Sequence, residues 1–154
     1  MKIEVEAIGF VRGGRREAVD DAWAGVRATI DLDPTRFSAK ALSGLEDFSH
    51  VEVLIHFHQA DPKAVEYGAR RPRGNEDWPR VGIFAQRGKD RPNRLGISIC
   101  RLLEVDDVSL KVEGLDAIDG TPVLDIKPLM SGLGPRGGLR EPEWAREIMA
   151  KYWK

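Results

Sequence analysis

The chain has one cysteine, Cys100, so no intrachain disulfide is possible. A cross-linked scaffold is excluded, and a reducing compartment, the cytoplasm, is expected. Cys100 sits in the apolar run GISICRLL, which suits a core residue better than a nucleophile. No apolar run approaches the ~20 residues of a membrane-spanning helix. The opening MKIEVEAIGF carries charges where a secretory signal has its apolar segment. Net charge is also nearly absent: 24 Lys and Arg against 25 Asp and Glu leave −1, which argues against a generally basic nucleic-acid binder. There is no internal repeat, no strand–GxGxxG–helix unit and no P-loop. No Ser-His-Asp order or Cys-His pair suggests nucleophilic catalysis.

What is present is an ordinary globular composition over 154 residues, 42% hydrophobic and 32% charged, enough for one domain with a real core. The charge is unevenly placed. Residues 70–101 hold nine Arg and Lys against three acids, whereas residues 104–125 hold seven acids and only Lys111. Such segregation makes one basic face on a neutral protein and keeps anionic partners possible.

Period-two alternation dominates the pattern. Ile3, Val5 and Ala7 alternate with charged neighbours and predict an opening strand, broken near Gly9 and Gly13-Gly14. Val26, Ala28, Ile30 and Leu32 predict a second, ended by Pro34, and Arg36–Leu45 a short helix. In His50–Gln59, Val51, Val53, Ile55 and Phe57 share one face; Glu52 and all three histidines, His50, His56 and His58, share the other. A loop is expected over residues 62–79, then strands at Val81–Arg87, Gly96–Val105, Leu110–Glu113 and Pro122–Lys127, the last two joined by the turn Asp119-Gly120. Gly132–Gly138 is a glycine-rich connector. A terminal helix begins near Pro142, with Trp144, Ile148 and Tyr152 as a stripe for the sheet or a second subunit. The expected class is all-β, a barrel or sandwich with few short helices and one at the C-terminus. Residues 1–131 form the expected barrel domain; residues 132–154, the connector and helix, pack on that domain or on its dimer mate.

Three stretches carry chemistry. Between the apolar runs Val81–Ala85 and Leu95–Ile99 lies a loop with Arg87, Lys89, Arg91 and Arg94. Gly88 allows a turn through positive φ, and Pro92 stiffens the chain and extends Arg91. Guanidinium groups on a stiff loop suit carboxylates and phosphates; a solvated turn is the plain alternative. The histidine face invites a metal, but the cysteines or second carboxylate that would close a zinc site are missing, so none is expected. DAIDGTPVLD, from Asp116 to Asp125, is either a hairpin turn or a rigid turn holding a polar ligand.

Three blocks in order, GLEDFSHVEVLIHFHQ, RVGIFAQRGKDRPNRLGISICRLLEV and VEGLDAIDGTPVLDIKP, resemble the TsaA-like family, also called TrmO or YaeB-type. The resemblance spans nearly all of residues 3–130. It implies a small single-sheet β-barrel that dimerises, binds S-adenosyl-L-methionine without a Rossmann domain, and methylates N6 of N6-threonylcarbamoyladenosine at position 37, beside the tRNA anticodon. Matched by motif, the implied cofactor contacts are Gly13, Gly14 and Arg15 (at the family's SPYK-like turn), His58, Gln59, Arg87, Arg91, Ile97, Ser98, Asp119, Gly120, Thr121 and Pro122. Asp119 and His58 are the candidate proton acceptors. Three departures stand out: the family's SPYK-like turn reads Gly13-Gly14-Arg15-Arg16, its RPNP reads Arg91-Pro92-Asn93-Arg94, and a connector and helix replace the C-terminal domain of the longer bacterial enzymes. The resemblance thus implies a homodimeric tRNA methyltransferase; a cofactor-binding or sensing module, or a small-molecule methyltransferase, is the alternative.

Overall fold

Alternating apolar side chains build most of the sheet. In the computed structural model, which describes every residue from Met1 to Lys154, the strands are β1 (Gly9–Gly13), β2 (Arg27–Leu32), β3 (His50–His56), β4 (Ala69–Arg70), β5 (Val81–Gly82), β6 (Leu95–Asp106), β7 (Ser109–Glu113) and β8 (Pro122–Pro128). One α-helix, α1, spans Glu143–Met149. β1, β2, β7, β6, β3 and β8 close in that order into a barrel, every pairing antiparallel. Closure leaves the barrel no open sheet edge.

Val51 and Val53 of β3 face inward opposite Cys100 and Ser98 of β6, meeting Val11, Ile30, Leu110, Val112 and Val123 in one core. The β3–β8 register shifts between Leu54 and Ile55, a local irregularity of the bulge type that bends the sheet toward closure. The outward positions of β6 are also apolar: Ile97 and Ile99 remain 46% and 49% exposed, with Leu95 and Leu103 on the same strand.

Several expected elements are altered. Residues 1–8 form no strand, and Ile3 and Val5 are exposed. Pairing starts only where the Ile8 N–H donates to Val123, while the Ala7 carbonyl is taken by Arg36. Arg36–Leu45 holds no α-helix; 3-10 turns occur at Ala39–Ala41 and Leu45–Asp47. Val81–Arg87 is a strand only at Val81–Gly82, because Ile83 turns inward and its carbonyl accepts from Gln86. β3 stops at His56: the Phe57 N–H donates to Arg94 and its carbonyl accepts from Ala60, so His58 lies in a turn and not on the strand face.

The 38 residues between β3 and β6, 57–94, therefore form an insertion outside the barrel. Its expected loop contains the small β4–β5 ribbon and 3-10 turns at Pro62–Ala64 and Pro72–Gly74. The left-handed backbone expected at Gly88 falls instead on Asn93 and Arg94. Gly88 matters for room, since a Cβ there would come within 3.2 Å of Arg70 Nη2. At the other end of the chain, Pro142 caps α1 rather than entering it, and Tyr152 lies beyond it. Trp144, Ile148 and Tyr152 are half-buried against their own chain. The Lys151 and Tyr152 carbonyls accept from Ala22 and Trp23, and the Trp78 indole donates to Glu147 at 2.5 Å.

Candidate functional site

Two turns distant in sequence are laced together at one end of the barrel. Leu115, Ala117 and Ile118 are buried and anchor the segment before the Asp119-Gly120 turn. Asp119 N–H donates to the Arg15 carbonyl at 2.7 Å, and Gly120 N–H to Val11 at 2.8 Å. The Asp119 carboxylate returns the link by accepting from Gly13 N–H at 2.9 Å, across 106 positions of sequence. Gly13 and Gly120 take φ of +73° and +81°, a region most side chains avoid. A Cβ on Gly120 would point toward His58, 3.9 Å from Nε2. Gly13, Asp119, Gly120 and His58 thus border one small open cradle. Thr121 is buried beneath it, Pro122 opens β8 opposite Phe10, and Gln59 is exposed beside His58.

Arg15 joins this plate only by its backbone. Its guanidinium turns away, donating to the Asp21 carbonyl at 2.8 Å and to Ala22, and lying over the Trp23 ring. The basic loop supplies a second group. Arg87 donates to the Ile97 carbonyl at 3.0 Å and Arg91 to the Gln86 carbonyl at 2.9 Å. Ile97 points outward, whereas Ser98 faces the barrel interior and is buried. Gly14 lies in the first turn with φ of +69°.

The electrostatics of the insertion are unusual in one respect. Arg71, Arg80, Arg87, Arg91 and Arg94 each donate to a backbone carbonyl and none is ion-paired with a carboxylate. Carbonyl bonds fix these groups without neutralising them, leaving most of each fork's five donors for a ligand. Arg70 differs, pairing with Asp90 at 2.9 Å. Burial works against the Asp90 charge, but hydrogen bonds and positive charge from Arg70 and Lys89 prevail and hold its carboxyl below the usual range. His56, at the end of β3, is held below the ordinary imidazole value by burial and by the charges of Arg94 and His58. No group of three or more His, Cys, Asp or Glu side chains is placed to hold a metal ion.

Two contributions escaped the sequence pattern. Gln86 is buried, donates its amide to the carbonyls of Arg70 and Val81, and presents its own carbonyl to Arg91. Asp116 accepts from the Tyr152 hydroxyl. Burial and the Asp116 charge push that phenol far above its ordinary value, with Arg87 and Arg73 pulling the other way. Periodicity carries no signal for either, because their partners are a backbone carbonyl and a residue from the far terminus. An apolar cleft lined by Phe37, Leu42, Leu45 and Ile126 lies toward the other end of β8 and includes none of these groups.

The family model described as the tRNA-methyltransferase O N-terminal domain matches residues 20–133. A tRNA (adenine(37)-N6)-methyltransferase of Escherichia coli is 46% identical over 98 residues, 60% of this chain and 40% of that protein. A Methanothermobacter thermautotrophicus protein named as a probable S-adenosyl-L-methionine-binding protein is 33% identical, covering 89% of this chain and 97% of its own length. A crystal structure of TrmO from Pseudomonas aeruginosa superimposes with a TM-score of 0.75 at 34% identity, over 91% of this chain and 61% of that one. The chain spans about half the length of the curated bacterial relatives it matches. No helix is long and apolar enough to cross a membrane.

Proposed function

Because the chain belongs to the tRNA-methyltransferase O N-terminal-domain family, we propose that it binds S-adenosyl-L-methionine and methylates N6 of adenosine 37 in tRNA, in the cytoplasm. The acceptor in this reading is the N6-threonylcarbamoyl form. The observation that carries the proposal is the lacing of Gly13 to Asp119 beside His58; Arg87 and Arg91, held by backbone carbonyls and paired with no carboxylate, support it. The residues fit the cofactor on their own chemistry. Gly13 and Gly120 leave open space where a Cβ at Gly120 would meet only His58 Nε2, at 3.9 Å, and Asp119 and Gln59 offer polar partners for an adenosine. Arg87 and Arg91 suit its amino-acid carboxylate. Ile97 supplies an apolar wall, which Ser98 backs from the barrel interior, Thr121 a buried floor, and Gly14, Arg15 and Pro122 the backbone of the two turns. When bound, the cofactor supplies an activated methyl group.

This chain's part in the chemistry is to hold the acceptor nitrogen in place and to receive its proton. A carbamoylated N6 is more acidic than a plain exocyclic amine, so a modest base suffices; Asp119 and His58 fill that role. Calorimetry should give one cofactor site per chain, and Arg91→Ala should weaken binding by about 1.5–3 kcal/mol, the value of one charge-assisted hydrogen bond. Transfer of labelled methyl should require tRNA carrying the threonylcarbamoyl group; equal methylation of tRNA lacking it would remove that acceptor. A binding module without turnover is the second reading, favoured by the name of the archaeal relative whose length this chain nearly matches. Stoichiometric binding with no methylated tRNA would select it.

The same reading includes a homodimer. Leu95, Ile99 and Leu103 leave an apolar strip on the barrel wall that a second copy would cover. Light scattering that finds only monomer at micromolar concentration would refute the dimer without touching the cofactor site.

A further inference from the structure

The largest exposed aromatic surface of the insertion has no role in the cofactor site. Tyr67 is 79% exposed and Phe84 is 77% exposed. The fold brings them to the same end of the β4–β5 ribbon: Ala69 pairs with Gly82, and the Ile83 N–H donates to the Gly68 carbonyl at 3.0 Å. Tyr67 directly precedes Gly68, and Phe84 directly follows Ile83 in the 3-10 turn Ile83–Ala85. Neither ring stacks on the other or on any aromatic neighbour, so both faces are open. Leaving two rings in water costs solvation free energy that burial elsewhere would recover.

Their setting is cationic and fixed. Residues 57–94 carry nine Lys and Arg against five Asp and Glu. Arg80 bonds the Ala69 carbonyl at 2.5 Å, two residues from Tyr67, and Arg91 bonds the Gln86 carbonyl, two residues from Phe84. The Glu66 N–H donates to Asp90, which brings Lys89 to the same edge. Open aromatic faces framed by unneutralised guanidinium groups match unpaired nucleobases joined by phosphates, since every base has a face to stack and every linkage a charge to meet. A second protein surface would call for a continuous apolar patch instead, and here the rings stand among charges.

We propose that Tyr67 and Phe84 form a stacking platform for unpaired bases of a single-stranded RNA loop, with Arg80 meeting a flanking phosphate. The inference rests on the tRNA reading above and adds how the loop is gripped. The platform holds bases by their faces, so it prefers an open loop to a duplex and tolerates different bases.

The test uses the full chain and a 5′-labelled anticodon stem-loop RNA, with a fully paired duplex of equal length as control. Tyr67→Ala and Phe84→Ala should each weaken stem-loop binding about tenfold and leave duplex binding unchanged. Tyr67→Phe and Phe84→Trp should retain it. The two alanine variants should keep the wild-type slope of log affinity against log salt, whereas Arg80→Gln should reduce that slope by about 1. Cofactor affinity, measured in parallel, should not change in the Tyr67 and Phe84 variants. Wild-type stem-loop affinity in both alanine variants would overturn the platform while leaving methyl transfer to tRNA standing. Equal losses on stem-loop and duplex would overturn it as well. A shift from dimer to monomer in those variants, with RNA affinity intact, would assign the rings to a subunit contact instead. Failure of the wild-type protein to bind either RNA would overturn the platform together with the tRNA reading.

Discussion

In the barrel, Val11, Ile30, Val51, Val53, Leu110, Val112 and Val123 are completely buried, and their partners are one another. In the insertion of residues 57–94, only Ala60, Pro72, Ile83 and Gln86 are buried. That segment is held by arginines reaching carbonyls and by the Arg70–Asp90 pair. The barrel is thus stabilised by a non-directional term that scales with area, and the insertion by directional bonds, each modest in net value. A ligand-gripping segment profits from the second arrangement, because the same donors that order it remain charged toward a partner. It should also open first, as sparsely buried segments do.

The sharpest test of that contrast is a pair of substitutions. Ile55, 2% exposed, lines the core at the end of β3. Ile55→Ala should cost about 3 kcal/mol of global stability, by lost transfer energy and the cavity left behind. Urea unfolding followed by tryptophan fluorescence and by circular dichroism should shift together. Asp90→Ala should act differently. It strands a part-buried guanidinium, a cost of about 2 kcal/mol, below the range for a fully buried pair. Hydrogen exchange should speed up at Glu66 and Ile83, whose N–H groups bond within the insertion, and stay slow along β3. Equal acceleration in both would mean that the two regions unfold as one unit. The acid side offers a second check. The Asp90 carboxyl lies below its ordinary 3.8 in the folded chain, so its contribution is complete above that value and is lost as pH falls below it.

A smaller effect is expected where the two regions meet the cradle. Gly120→Ala places a side chain at φ of +81° and toward His58, which should cost about 1 kcal/mol of backbone strain. Cofactor affinity should fall with it, while exchange within the insertion should not change. Weakened insertion exchange with normal cofactor affinity would separate the cradle from the proposed site.

The same contrast explains what could be read in advance. β2, β3 and β6 to β8 were legible because a half-buried strand imposes period two on its side chains, as at Val51, Val53 and Ile55. Ile3 and Val5 carry the same pattern without a partner, since alternation reports a tendency to pair and not the presence of a neighbour. The insertion was illegible for a different reason. Arg71, Arg80, Arg91 and Arg94 are ordered by carbonyls, which every residue possesses, so no pairing of residue types marks the contacts. The positive φ of Asn93 and Arg94 was likewise hidden behind the more obvious Gly88. Of the site, the motifs indicated which residues to watch. The bond from Gly13 to Asp119, however, depends on barrel closure and has no local signature.

His56 sits at the seam, the last residue of β3 and the first to feel the insertion, and it gives the smallest and most specific test. Burial disfavours its protonated form, and the charges of Arg94 and His58 add to that, so its folded-state value lies below the ordinary 6.5. The unfolded chain therefore takes up a proton near 6.5 that the folded chain resists. Below that pH the unfolded state binds more protons, and stability must decrease as pH falls through the window between the two values. Above 6.5 both states are neutral and the effect vanishes. Calorimetric melting should thus shift downward between pH 7 and pH 5.5, and the shift should shrink in His56→Gln but persist in His50→Gln. Arg94→Ala should raise the His56 titration point followed by NMR, because it removes one of the two charges. An unchanged titration point in Arg94→Ala would mean that the charge of the insertion does not reach the barrel end, and that burial alone sets His56.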